Sequence, residues 1–231
     1  MKKPKTTLFM LMSIDGKIST GSSDKRDFDK DLKNIKYVKD GLYQYYELEQ
    51  KTDEYSLNTG RVMSKIGINE RDIFPDEFKE FMNFIIIDNS HLRLSGLENL
   101  SNKLKKLFLV TTNKEHPVFN LDKKNIEVIF YNNEIDFNDL FFKLYDKYKI
   151  ENLTTQSGGT LNSILLRDNL IDYLSIVMAP VLVGGKNTST LIDGNNIIND
   201  IDLKNIKTCD LEAAKVLKNS YLHLNYKIIK K

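Results

Sequence analysis

Two glycine-bearing turns hold the residue types in this chain best suited to chemistry. The first is Thr59-Gly60-Arg61-Val62-Met63-Ser64-Lys65-Ile66-Gly67; far downstream comes Ser157-Gly158-Gly159-Thr160-Leu161. Each follows a segment that reads as a strand and is placed to open a helix. Glycine lets the backbone come close to a bulky anion, and a helix start offers unpaired N–H groups with a partial positive charge. Two such turns on one sheet suit a ligand with several phosphates, such as a dinucleotide. Other chemistries find less support. His91, His116 and His223 are scattered and form neither a metal set nor a triad with a serine. Cys209 stands alone, which excludes an intrachain disulfide and a cysteine metal cluster; it is expected to be a small buried residue on a late strand.

The elements that must position these turns follow from the apolar pattern. Leu8–Met12 is a continuous apolar run, as expected of a strand covered on both faces. It leads into the turn Ser13-Ile14-Asp15-Gly16-Lys17, and the polar stretch from Ser19 to Asp31 reads as a surface loop. Ile35, Val38, Leu42, Tyr45, Tyr46 and Glu49 have helical spacing. Their tyrosines suit core or dimer packing. Further strands are predicted at Tyr55–Asn58, Phe84–Ile87, Leu107–Val110, Ile126–Tyr131 and Leu153–Gln156, with a helix over Phe137–Tyr148. After Asp172 the alternation stops. Tyr173–Met178, Leu211–Leu217 and Tyr221–Ile229 read as strands, the last two separated by a hairpin-like break at Lys218-Asn219-Ser220. The pattern predicts a single α/β domain over residues 1–231: a mostly parallel central sheet, flanking helices and an antiparallel C-terminal edge. In such sheets ligands bind beyond the carboxyl ends of the strands.

With 34 Lys and Arg against 32 Asp and Glu, the net charge of +2 argues against a dedicated nucleic-acid binder. The apolar run near the start is too short for a signal peptide or a membrane span. The expectation is a cytoplasmic protein that meets neither membrane nor nucleic acid.

Four motifs together resemble the reductase domain of riboflavin biosynthesis, the RibD C-terminal domain family, which has the dihydrofolate-reductase-like fold. They are Ser13-Ile14-Asp15-Gly16-Lys17-Ile18, the Gly60–Gly67 turn, Ser157-Gly158-Gly159-Thr160-Leu161-Asn162, and Ala179-Pro180-Val181-Leu182-Val183-Gly184-Gly185. The resemblance implies an NADPH-dependent hydride transfer to a small polar heterocyclic or carbonyl acceptor, with or without a phosphate, and a homodimer. It places the pyrophosphate on Gly158, Gly159, Thr160 and Leu161, and another phosphate-bearing part of the cofactor on Gly60 and Arg61. Ser90 and Arg93 sit where this fold often reads the adenosine ribose, and their hydroxyl and guanidinium suit a 2′-phosphate. Asp15 falls near the nicotinamide, placed to orient substrate or relay a proton; Asp-Gly is equally a tight-turn pair. Ser13, Lys17 and Gln156 complete the expected substrate side.

This chain departs from the family at two places. Gln156 stands where riboflavin-pathway members usually carry an acid. The usual Asp-x-Pro-x-Leu-x-x-Arg segment after the first glycine helix is missing, leaving Arg26 or Arg71 as substitutes for a phosphate-binding arginine. Two alternatives follow: a pterin or dihydrofolate-type reductase on the same fold, or a non-catalytic NADPH-binding module.

Overall fold

Strands and helices alternate along the chain, as the apolar runs require. The computed structural model describes residues 2–70 and 82–230; Arg71 lies outside them. In chain order the elements begin β1 (Lys5–Ser13), α1 (Phe28–Leu32), α2 (Tyr43–Glu49), β2 (Tyr55–Thr59) and α3 (Gly60–Lys65). There follow β3 (Asn83–Ile87), α4 (Leu94–Lys103), β4 (Lys106–Thr111), β5 (Ile126–Phe130) and α5 (Phe137–Asp146). The chain closes with β6 (Asn152–Thr155), α6 (Gly159–Arg167), β7 (Tyr173–Ala179), β8 (Thr208–Val216) and β9 (Leu222–Ile229).

The chain forms two units. One spans Asp53–Ser157 together with the N-terminal residues up to Pro4, and the other comprises Lys5–Thr52 and Gly158–Lys231. In the first, the strands lie in the order β5-β4-β3-β2-β6, all parallel. Ile85 faces Leu57 on one side and Phe108 on the other, and all three are buried. Strands covered on both faces need such unbroken apolar runs. Beside them Leu97 and Leu100 of α4 join Phe84, Ile86, Leu107 and Leu109 in one cluster. The three-residue spacing of the two leucines puts them on one helix face. In α5, Leu140, Phe141 and Leu144 are buried, and the Asp136 side chain caps the start by accepting from Asp139 N–H.

In the second unit β1 pairs parallel with β7, β9 runs antiparallel to β7, and β8 runs antiparallel to β9. The expected antiparallel C-terminal edge is therefore present. Three local expectations are corrected. The Ser19–Asp31 stretch is not all surface loop: Asp27 caps α1, whose Phe28 and Leu32 enter the core. The helix read through Ile35–Glu49 is broken. Tyr37 adopts φ 70° and is 76% exposed, and a short turn of helix over Lys39–Gly41 precedes α2. A Cβ on Gly41 would lie 2.6 Å from the Tyr221 ring, whose hydroxyl donates to the Val38 carbonyl at 3.0 Å. Tyr45 nevertheless packs as expected, stacked on Phe9 at 5.2 Å between ring centres. Finally, Cys209 lies on a late strand but is exposed, because β8, the edge of its sheet, is left uncovered on both faces.

Candidate active site

Within the second unit, α6 presents its N-terminus without a side-chain cap, since the residue before it is Gly158. The first N–H groups of any helix lack partners inside the helix, and Gly158 has no side chain with which to cap them. The two glycines differ. Nothing lies within 4 Å of where a Gly158 Cβ would be, and its φ of −73° suits any residue. The fold itself does not require glycine at this position. Gly159 is enclosed: a Cβ there would collide with the Thr190 carbonyl and lie 2.5 Å from Asp193 Oδ2. Thr160 is exposed and Leu161 half-buried on the first turn.

The Asp15 turn is held by a dense set of bonds. Ser13 is buried; its hydroxyl donates to Asp15 Oδ1 at 2.6 Å and accepts the Lys17 N–H at 2.8 Å. Asp15 also accepts from Val183 N–H (3.1 Å) and Gly184 N–H (2.6 Å). The Ser13 hydroxyl first, then these two amides, lower its carboxyl to about 2, so it is ionised at neutral pH. Gly184 has φ 72°, which favours glycine where the loop turns over the carboxylate. Lys17 Nζ donates to the carbonyls of Gly185 and Thr188, both at 2.9 Å. Further along, Leu191 N–H donates to Gly16 O (3.1 Å), and Asp193 N–H to Gly159 O (3.0 Å). The loop after β7 thus contacts first the Asp15 turn and then the start of α6.

In the first unit, the Gly60 turn is made differently. Thr59 caps α3 by accepting from Val62 N–H at 3.3 Å, and a Cβ on Gly60 would collide with the Asp88 side chain. Packing alone requires this glycine. Asp88 is buried at the end of β3 and accepts from the N–H groups of Ser90, His91 and Leu92. Its Oδ2 also meets His116 Nε2 at 3.0 Å. Because His116 Nδ1 accepts from Val118 N–H, the ring carries its proton on Nε2 and donates it to Asp88. Burial pushes the Asp88 carboxyl up, but His116 and the three amides outweigh it and hold it at about 2. Ser90, Arg61 and Arg93 are exposed, with Arg93 3.7 Å from Glu70. Gln156 is half-buried; its N–H donates to Leu57 O, and its Oε1 accepts from Ser56 at 3.3 Å. Arg26 lies 3.9 Å from Asp31.

The structure thus brings Ser13, Asp15 and Lys17 into one bonded cluster and joins Gly159 to it through the loop after β7. It groups Gly60 with the Asp88 turn. Sequence reasoning set His116 aside and missed Thr190 and Asp193. The Asp193-Gly194 dipeptide marks a turn, but nothing local says where that turn docks. Among the described residues no group of His, Cys, Asp and Glu could hold a metal ion, and no helix is long and apolar enough to cross a membrane.

Known proteins similar to this chain are reductases. A 2,5-diamino-6-ribosylamino-4(3H)-pyrimidinone 5′-phosphate reductase of Methanothermobacter thermautotrophicus is 24% identical over 200 residues, covering 84% of this chain and 86% of the relative. One of the same name from Aquifex aeolicus is 24% identical over 201 residues, covering 84% of each. Among solved structures, RibD of Acinetobacter baumannii superimposes with a TM-score of 0.69 at 14% identity. That match covers 99% of this chain but 59% of the RibD chain. The riboflavin biosynthesis reductase Rib7 of Saccharomyces cerevisiae gives 0.62 at 14% identity, covering 98% and 90%. The likeness in structure bears out the expected dihydrofolate-reductase-like fold, and the protein is an oxidoreductase. More narrowly, it belongs to the RibD C-terminal domain family, whose sequence pattern matches residues 4–215.

Proposed function

We propose that the protein is an NADPH-dependent reductase of riboflavin biosynthesis, acting on a ribosylaminopyrimidine 5′-phosphate of the kind its relatives are named for. The observation that carries this reading is Gly158, a glycine the fold does not need, at the uncapped start of a nine-residue helix. An absent side chain there leaves room for a pyrophosphate to meet the N–H groups of Gly159, Thr160 and Leu161. When bound, the reduced nicotinamide supplies the hydride. The protein's part is to fix geometry and exclude water.

Asp15 stays ionised at neutral pH and has its oxygens engaged, so its role is to hold the loop after β7 rather than to deliver a proton. Lys17 does the same through its ammonium. Ser90 and Arg93, exposed at the end of β3, are assigned to the 2′-phosphate; Arg93 exchanges a solvent-screened contact with Glu70 for a charge-assisted one.

Fluorescence titration with NADPH and with NADH tests the reading. Micromolar NADPH binding, at least about tenfold tighter than NADH and reduced to parity by Arg93→Ala, is the expected result. Equal affinities would remove the 2′-phosphate assignment, and no binding of either would remove the nucleotide site. Oxidation of NADPH by 2,5-diamino-6-ribosylamino-4(3H)-pyrimidinone 5′-phosphate then separates an enzyme from a nucleotide-binding module.

A further inference from the structure

The loop after β7 is bonded at both of its ends, and the two ends are the two parts of the proposed site. At one end the Ile14 N–H donates to Val181 O (2.9 Å) and the Ile18 N–H to Ser189 O (3.0 Å). Between them Asp15 takes the amides of Val183 and Gly184, while Lys17 takes the carbonyls of Gly185 and Thr188. At the other end Asp193 Oδ1 accepts both the N–H (3.0 Å) and the hydroxyl (2.6 Å) of Thr190. The Asp193 N–H in turn holds Gly159 O, and Asn162 Nδ2 donates to Leu191 O at 2.9 Å. Thr190 also pairs with Lys17 in an isolated antiparallel bridge. A segment bonded this densely at both ends is a physical route by which a shift at one end can reach the other.

We propose that residues 181–193 are a strap that makes the Asp15 turn and the first turn of α6 one mechanical unit, with Thr190 and Asp193 as its positioning residues. The strap fixes the distance between a dinucleotide's pyrophosphate, held at α6, and the turn where its reactive end meets substrate. Gly159 offers its N–H to the phosphate and also belongs to this joint: its missing Cβ is what lets Thr190 O and Asp193 seat against the helix. The inference rests on the nucleotide reading above and deepens it.

A double-mutant cycle on NADPH affinity tests it, using the whole chain and the intrinsic fluorescence of NADPH. The four proteins are the wild type, Asp15→Asn, Thr190→Val and the double variant, each checked for native-like melting. Thr190→Ser serves as the conservative control that keeps the hydroxyl. Independent residues add in such cycles, whereas coupled ones do not. Asp15→Asn is expected to weaken NADPH by about fivefold or more in the wild-type background and by less than about twofold in the Thr190→Val background, with Thr190→Ser restoring the full effect. Should Thr190→Val fail to fold, Asp193→Asn takes its place in the cycle. Additive losses, with NADPH still bound, would overturn the strap and leave the nucleotide site standing. Absence of NADPH binding to the wild type would remove both.

Discussion

Gly158 and Gly159 look alike in sequence and differ in what surrounds them. An alanine at 158 meets open space, so Gly158→Ala should change stability by less than about 1 kcal/mol, the small cap penalty offset by a stiffer unfolded chain. The same change should weaken NADPH by about tenfold, through a methyl group placed against the phosphate. Gly159→Ala forces a Cβ onto the Thr190 carbonyl and should cost about 1–3 kcal/mol. Melting curves with and without NADPH separate the two effects. Asp88 makes a second prediction. Folding lowers its carboxyl from 3.8 to about 2. The ionised form is therefore favoured by the fold, and the stabilisation is complete above roughly pH 4 and lost as pH falls through about 2. The amount is about 2 kcal/mol. In Asp88→Asn the steepness of acid unfolding over that interval should fall, as read by circular dichroism across a pH series.

The helices divide by what starts them. Thr59 caps α3 with its own hydroxyl, whereas α6 begins at a glycine with none. Thr59→Ala should therefore cost about 1 kcal/mol and leave NADPH affinity within about twofold of wild type, measured by urea denaturation and by titration. Much of this architecture was legible from apolar periodicity. Phe84–Ile87, Leu107–Val110 and the Phe137 helix sit where their patterns place them, because each is decided by burial along its own length. The broken helix before Glu49 was not legible. Beside the break the Tyr221 ring is seated against Gly41 and its hydroxyl meets Val38 O, contacts between residues far apart in the chain. Cys209 misled for a related reason: residue type suggests burial, but only strand order shows that β8 is an edge. The glycine turns were legible as turns. What each glycine meets was not, since Asp88 and Asp193 reach Gly60 and Gly159 from other elements.

For the molecule as a whole, bound nucleotide acts by mass action on the folded state alone. NADPH at a hundred times its dissociation constant should add about 2.7 kcal/mol of stability, visible as a rise in melting temperature that NADH at the same concentration does not match. The rise with NADPH tests the nucleotide site proposed at α6, and the margin over NADH tests separately the 2′-phosphate proposal for Ser90 and Arg93. A different consequence follows from β8. The strand is exposed along nearly its whole length, with Leu211 and Val216 turned to solvent, the latter 83% exposed. Such an edge is a template onto which a foreign strand can add, and it sets how concentrated the protein can become before chains adhere. Its defence is written into the same nine residues: a bulge between Leu211 and Ala213 that bends the edge, and the charges of Asp210, Glu212 and Lys215 interrupting its apolar positions. The resistance of this edge to strand addition is therefore set by one irregular strand rather than by the nearly balanced net charge.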